Sequence, residues 1–314
     1  MRKVNTIFLF ILIFFSFSSV YSQNADFEAG LKALESKNYT SAIESFSKYL
    51  SVKDNSKDSY YYTGYFNRGV AYSNLPDHIK AIKDFTKTIE LKPDFPEAYI
   101  NRGISYNEMK DYVNSEADFT KAIELKNNFM EAYFNRGLLR FHNQNYTGAV
   151  SDFSEAIKLD ETIIDAYIHR GLSYGFLNDI DQSIYDFNKV IELDPKNVFG
   201  YYDLGNTYFM QKKYEEALGY FTKAIELKPD FPEAYTNRGQ IYQGMKDFDK
   251  ALIDYTKALQ LKPDFANVYY KRGFLYKDMN EYAKAISDWE NAIKYNKDYK
   301  DQLEPYIKDL KEHK

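Results

Sequence analysis

The chain contains no cysteine, one tryptophan, eight prolines and four histidines in 314 residues. Without cysteine there can be no disulfide, no thiolate zinc site and no lipid-modified N-terminal cysteine. The histidines, His78, His142, His169 and His313, share no spacing that a metal site uses, so no metal is expected. Phosphate-cradling glycine-rich loops are missing too. Positive charge is not in excess: the formal net charge is −5, and nucleic acid as a partner would call for a basic stripe. Carboxylates are plentiful, but they stand in solvated positions such as Glu215 and Glu216 or beside arginines. No isolated acid–base pair is left for catalysis, and neither a cofactor nor a small-molecule substrate is expected.

The one long uncharged run is Ile7 to Val20, preceded by Arg2 and Lys3 and followed by Tyr21-Ser22. A basic start, a short apolar run and small residues behind it have the form of a secretory signal peptide. The run is shorter than the roughly 20 residues that span a bilayer. Residues 1–22 are therefore expected to be removed, which takes the formal charge from −5 to −7. The expectation is an exported chain, periplasmic or extracellular, that is not an integral membrane protein after cleavage. The alternative is tethering by an uncleaved N-terminal segment.

What the chain does have is a ruler. Gly69, Gly103, Gly137, Gly171, Gly205, Gly239 and Gly273 stand 34 residues apart. Four before each is a tyrosine, from Tyr65 to Tyr269, and three after is a tyrosine in every unit but one, where Arg140 replaces it. Twelve after comes Ala or Ser, and sixteen after an aromatic: Phe85, Phe119, Phe153, Phe187, Phe221, Tyr255 and Trp289. Pro93, Pro195, Pro229 and Pro263 close four units. The −4, 0 and +3 positions share one face of a first helix, and +12, +16 and +19 one face of a second. Glycine costs helix propensity, about 1 kcal/mol against alanine, so its recurrence points to a steric need. The aromatics are expected to fill the space between neighbouring pairs.

This pattern closely resembles the tetratricopeptide repeat family. The resemblance implies an all-α, right-handed α-solenoid (superhelix) of about eight helix–turn–helix repeats plus a C-terminal capping helix. Its units are a degenerate repeat at 23–56, then 62–95, 96–129, 130–163, 164–197, 198–231, 232–265 and 266–299, and the cap at 300–314. The degenerate unit keeps Gly30, Ala42 and Phe46 in register, and the step from Gly30 to Gly69 is 39 residues, with the extra ones within 54–63. Leu303, Ile307 and Leu310 mimic a first-helix face, with Pro305 expected in the first turn of the cap.

Two columns of the repeat carry candidate roles. The residue before the glycine is Arg68, Arg102, Arg136, Arg170, Arg238 or Arg272, and the residue fifteen after it is Asp84, Asp118, Asp152, Asp186, Asp254 or Asp288. The remaining unit changes both together, to Leu204 and Tyr220. That joint change predicts structural ion pairs between the two helices of a unit; the competing reading is an arginine ladder for anions. Two before the glycine stand Asn67, Asn101, Asn135 and Asn237, with His169 in another unit; Phe66, Ile100 and Phe134 lie beside them, and Asn206 follows its glycine. The family's groove lies along these offsets, and the row is similar to the asparagine ladder of O-linked N-acetylglucosamine transferase repeats, which clamps extended peptide. Amides can grip a peptide backbone through a donor and an acceptor. The resemblance therefore implies a non-catalytic scaffold binding a protein or peptide, more tightly toward the N-terminal half. The family's carboxylate clamp is absent, because its offsets read Phe27, Leu31, Glu97 and Asn101. A structural, self-associating element is the alternative. Asn38-Tyr-Thr and Asn145-Tyr-Thr match a glycosylation acceptor at inter-helix turns.

Overall fold

A computed structural model describes residues 25–52 and 61–312 of the chain. The signal-peptide segment, most of the 54–63 junction and His313 lie outside the described residues. All regular structure among these is helical, in seventeen α-helices and one short 3-10 turn. The helices are α1 (Ala25–Glu35), α2 (Tyr39–Ser51), α3 (Tyr61–Asn74), α4 (His78–Leu91), α5 (Pro96–Glu108), α6 (Tyr112–Leu125), α7 (Met130–His142), α8 (Tyr146–Leu159) and α9 (Ile164–Phe176). They continue as α10 (Ile180–Leu193), α11 (Val198–Met210), α12 (Tyr214–Leu227), α13 (Pro232–Gly244), α14 (Phe248–Leu261), α15 (Ala266–Asp278), α16 (Tyr282–Tyr295) and α17 (Lys300–Glu312). The chain divides into two compact units, with α1–α9 in the first and α10–α17 in the second. Each unit is a stack of antiparallel helix pairs, the arrangement of an α-solenoid.

Each turn within a pair is built by the same local device. The first helix ends in a residue with positive φ, such as Lys110 at 63° or Lys246 at 63°. The next amide then reaches back to close the end: Asp111 N donates to Tyr106 O and Asp247 N to Tyr242 O, both at 2.9 Å. This is the Schellman closure, which ordinarily recruits glycine. The same Asp then caps the second helix, Asp111 Oδ1 accepting from Asn114 N at 3.3 Å. Asn38 and Asn145 are caps of this kind, bonded to the amides of Ser41 and Gly148, so both glycosylation candidates already have structural work. At the exposed Lys246 a left-handed backbone is carried by a side chain that disfavours it. Lys246→Gly should stabilise the chain by about 0.5–1 kcal/mol, read as a higher urea midpoint; an unchanged or lower midpoint would show that the φ carries no strain.

The registered glycines seat the aromatics. A Cβ on Gly103 would lie 2.8 Å from Phe119 Cε1, and one on Gly205 2.7 Å from Phe221 Cε1. Gly273 faces Trp289 in the same way. Each ring thus lies on the glycine of its own pair, rather than only between pairs. It also reaches the next pair, where a further apolar residue stands at the helix entry: Phe85 clusters with Phe95 and Phe119 with Phe129. Pro305 lies deeper than expected, at the sixth position of α17, because the 3-10 turn Lys297–Tyr299 leads straight into that helix. Leu303, Ile307 and Leu310 of α17 cover Trp289 and Ile286, closing the second unit's core.

Candidate functional site

The arginine column lies against the aspartate column. Arg102 donates Nε to Asp118 Oδ2 and Nη2 to Asp118 Oδ1, both at 2.8 Å. The same side-on fork joins Arg68 to Asp84, Arg136 to Asp152, Arg238 to Asp254 and Arg272 to Asp288. Arg170 belongs to the first unit and Asp186 to the second. These aspartates are buried. Burial opposes the charge on Arg102, and the two bonds to Asp118 outweigh it, holding the guanidinium above its usual value.

Two further columns that the sequence reading assigned elsewhere, or overlooked, complete the arginine's surroundings. The tyrosines at −4 and +3 flank the guanidinium: Arg272 Cζ lies 5.7 Å from the Tyr269 ring and 5.6 Å from Tyr276. The third amino group reaches back to the preceding pair, Arg102 Nη1 to Thr86 Oγ1 and Arg136 Nη1 to Thr120 Oγ1, both at 3.0 Å. Arg68, Arg170, Arg238 and Arg272 do the same with Ser47, Ser154, Thr222 and Thr256. The unit with Leu204 follows Asn188, where the others have Ser or Thr; that covariation was legible and would have revealed the link. Where Tyr220 replaces Asp, Tyr208 stacks on it with centroids 5.2 Å apart. Where Arg140 replaces Tyr, it joins Asp152 at 2.9 Å and Glu116 at 2.8 Å. Every arginine of the described fork pairs is matched by a carboxylate inside the fold, so this column offers no open anion ladder.

The asparagine row divides between the units. Asn67, Asn101, Asn135 and His169 are buried, Asn101 and Asn135 completely. Phe66, Ile100 and Phe134 are buried with them. Adjacent first helices of the first unit touch one another, and their +1 residues Val70, Ile104 and Leu138 fill the seam. Asn101 Nδ2 serves its own helix, donating to Glu97 O at 2.9 Å. The expected grip in the N-terminal half therefore meets side chains already enclosed.

In the second unit the +1 column turns to Asn206, Gln240 and Phe274, and the face opens. Asn237 Nδ2 donates to Asn206 Oδ1 at 2.8 Å and to the Tyr202 hydroxyl at 3.2 Å, all three residues half-buried. Burial pushes the Tyr202 phenol up to about 12. Beside them lies a cavity of about 450 Å³, lined among others by Phe209, Tyr214, Gln240, Tyr270, Lys271 and Phe274. Lys271 occupies the asparagine offset and donates Nζ to Gln240 Oε1 at 2.6 Å.

Burial lowers the affinity of Lys271 for its proton below the usual 10.5. The unfolded chain therefore binds that proton more readily, and wild-type stability should rise with pH between the depressed folded value and 10.5. Lys271→Met should be the more stable protein at neutral pH, with its advantage shrinking as pH approaches 10.5. Urea unfolding of both proteins across that range checks the sign; a pH-independent difference would contradict it.

Among the described residues no cluster of three metal-binding side chains occurs, and no helix is long and apolar enough to cross a membrane. Models of the tetratricopeptide repeat match residues 62–95, 96–129 and 131–163, then 198–231, 232–265 and 266–299, and a TPR repeat model matches 177–212. No curated protein matches the chain. Among solved structures, a tetratricopeptide repeat protein from Parabacteroides merdae is similar at 20% identity and TM-score 0.56, covering 77% of this chain and 94% of its own. The C-terminal part of a TPR repeat-containing protein from Cytophaga hutchinsonii is similar at 20% identity and TM-score 0.61, covering 74% and 95%. YrrB, described as a TPR protein with an unusual peptide-binding site, is similar at 23% identity and TM-score 0.52, covering 60% and 97%.

Proposed function

The chain belongs to the tetratricopeptide repeat family, and from that premise we propose that it is a non-catalytic scaffold holding an extended segment of a partner protein against its first helices. The observation that carries this reading is the open face of the second unit, where Asn206, Asn237 and Tyr202 form a half-exposed polar cluster beside an aromatic cavity. Half-exposed amides can exchange their mutual bonds for those of a peptide backbone at little cost, which enclosed amides cannot do. YrrB, with its named peptide-binding site, shares the fold and supports the reading at that level.

The test is binding of fluorescent peptides by the full chain and by an Asn206→Ala, Asn237→Ala double variant. Capture should weaken about tenfold in the variant, the loss of one or two good hydrogen bonds, with helical content unchanged. An Asn101→Ala, Asn135→Ala variant should lose stability instead of affinity. Equal capture by the first variant would count against the groove. Export forms part of the same proposal: the mature N-terminus should be Gln23, and N-terminal sequencing that returned Met1 would overturn it.

A further inference from the structure

Six arginines stand in one column of the repeat, and the five whose forks are described each rest on an aspartate. Lys271 is different. It occupies a half-buried first-helix position, and its bond runs to the neutral Gln240. An ammonium has three donors, and holding a cation away from water with a neutral partner is costly unless an anion completes the site. Burial lowers its affinity for a proton, the direction expected of a cation held without a close counter-charge.

The walls around Lys271 are aromatic. Tyr270 and Phe274 lie 5.0 Å apart between ring centroids, and Phe209 and Tyr214 face the same cavity. The cavity's far side is already polar and satisfied: Gln243 donates to Asp278 at 2.9 Å and accepts from the Tyr255 hydroxyl at 3.1 Å. Asp278 would repel a second negative charge there. Lys271 also stands within a row, with Asn237 and Asn206 on one side and the stacked Tyr270–Tyr299 pair on the other. A segment seated on the lysine therefore has a polar surface to continue along, so it need not end there.

We propose that the cavity around Lys271 recognises one acidic side chain next to a large apolar residue within an extended segment of the partner, the carboxylate bonding to Lys271 and the apolar residue lying among Tyr270, Phe274 and Phe209. The inference rests on the groove reading above and specifies its chemistry. The volume suits it, since ligand sites run from about 300 to 1,000 Å³.

Two libraries of random decapeptides without tryptophan, one amidated and one with free carboxyl ends, would be selected on the full chain. The expected result is enrichment of Asp or Glu adjacent to Phe, Tyr, Leu or Met in the amidated library. A selected amidated peptide and its Glu→Gln form would then be titrated, using the fluorescence of Trp289, which touches Phe274 at 5.0 Å. The Glu form should bind at least about tenfold more tightly. Lys271→Met should abolish that difference, the Glu form losing more affinity than the Gln form, and Lys271→Glu should select basic peptides instead. Peptides that bind without an acid preference, or that are insensitive to Lys271, overturn this inference and leave the groove reading standing. Selection only through a free carboxyl end overturns it likewise. No enrichment from either library overturns both.

Discussion

Arg102→Leu is expected to cost about 3–5 kcal/mol, because it leaves the Asp118 carboxylate buried without a counter-charge. It also removes the Nη1 bond to Thr86 at 3.0 Å, so both the α5–α6 pair and its junction with α4 should loosen. The chain supplies its own rescue. One unit carries Leu204 and Tyr220 at these two positions, with Tyr208 stacked on Tyr220. Arg102→Leu with Asp118→Tyr should therefore recover most of the loss, since Tyr106 stands where Tyr208 does. A buried ion pair replaced by well-packed groups is often close to neutral, whereas half of one is not. Arg136→Leu should be milder, because Arg140 remains on Asp152 at 2.9 Å. A repeat array can unfold in parts, so urea unfolding should be paired with hydrogen exchange of α5 and α6. Equal costs for the Arg102 and Arg136 variants, or no rescue by the tyrosine, would show that the carboxylate's isolation is not the cause.

Gly103→Ala is expected to destabilise by about 1–2 kcal/mol although alanine is the better helix former. Propensity favours the change by about 1 kcal/mol. Against it, the new methyl would sit 2.8 Å from Phe119 Cε1 and 3.3 Å from Asp118 Cβ. Phe119 is fully buried and has nowhere to turn. Gly219 gives the opposite case: it lies inside α12, exposed, with nothing within 4 Å of an added Cβ. Gly219→Ala should therefore stabilise by about 1 kcal/mol. Thermal or urea midpoints of the two variants decide the matter, and a shift of the same sign in both would sink the steric account of the registered glycines.

The repeat's register was legible because every unit solves the same packing problem with the same residue at the same offset. Gly103 and Phe119 could be matched as positions on paired helices from spacing alone. The Arg102–Asp118 fork was legible because one unit abandons both partners together. The Thr86 link was equally available in the Asn188–Leu204 covariation but joins one repeat to the next rather than two positions of one repeat. The groove was harder to read. Asn67, Asn101 and Asn135 read like Asn237 in sequence, yet three are enclosed and one is half-exposed. An offset fixes which way a side chain leaves its helix; whether it reaches water depends on which side chains of the next first helix lie over it, since neighbouring first helices touch in both units.

By itself the sequence determined the all-helical repeat, its phase, the positions of its turns and the pairing of arginine with aspartate. Those follow from periodicity, which acts over a few residues and holds at 34 from Gly69 to Gly273. Tertiary structure alone decided which members of a column are surface. In the first unit Val70, Ile104 and Leu138 close the seam between first helices. In the second, Asn206, Gln240 and Phe274 leave it open around Lys271. That difference belongs to contacts between neighbouring repeats, where one side chain meets another 31 residues away, as Gln240 meets Lys271 and Asn206 meets Asn237.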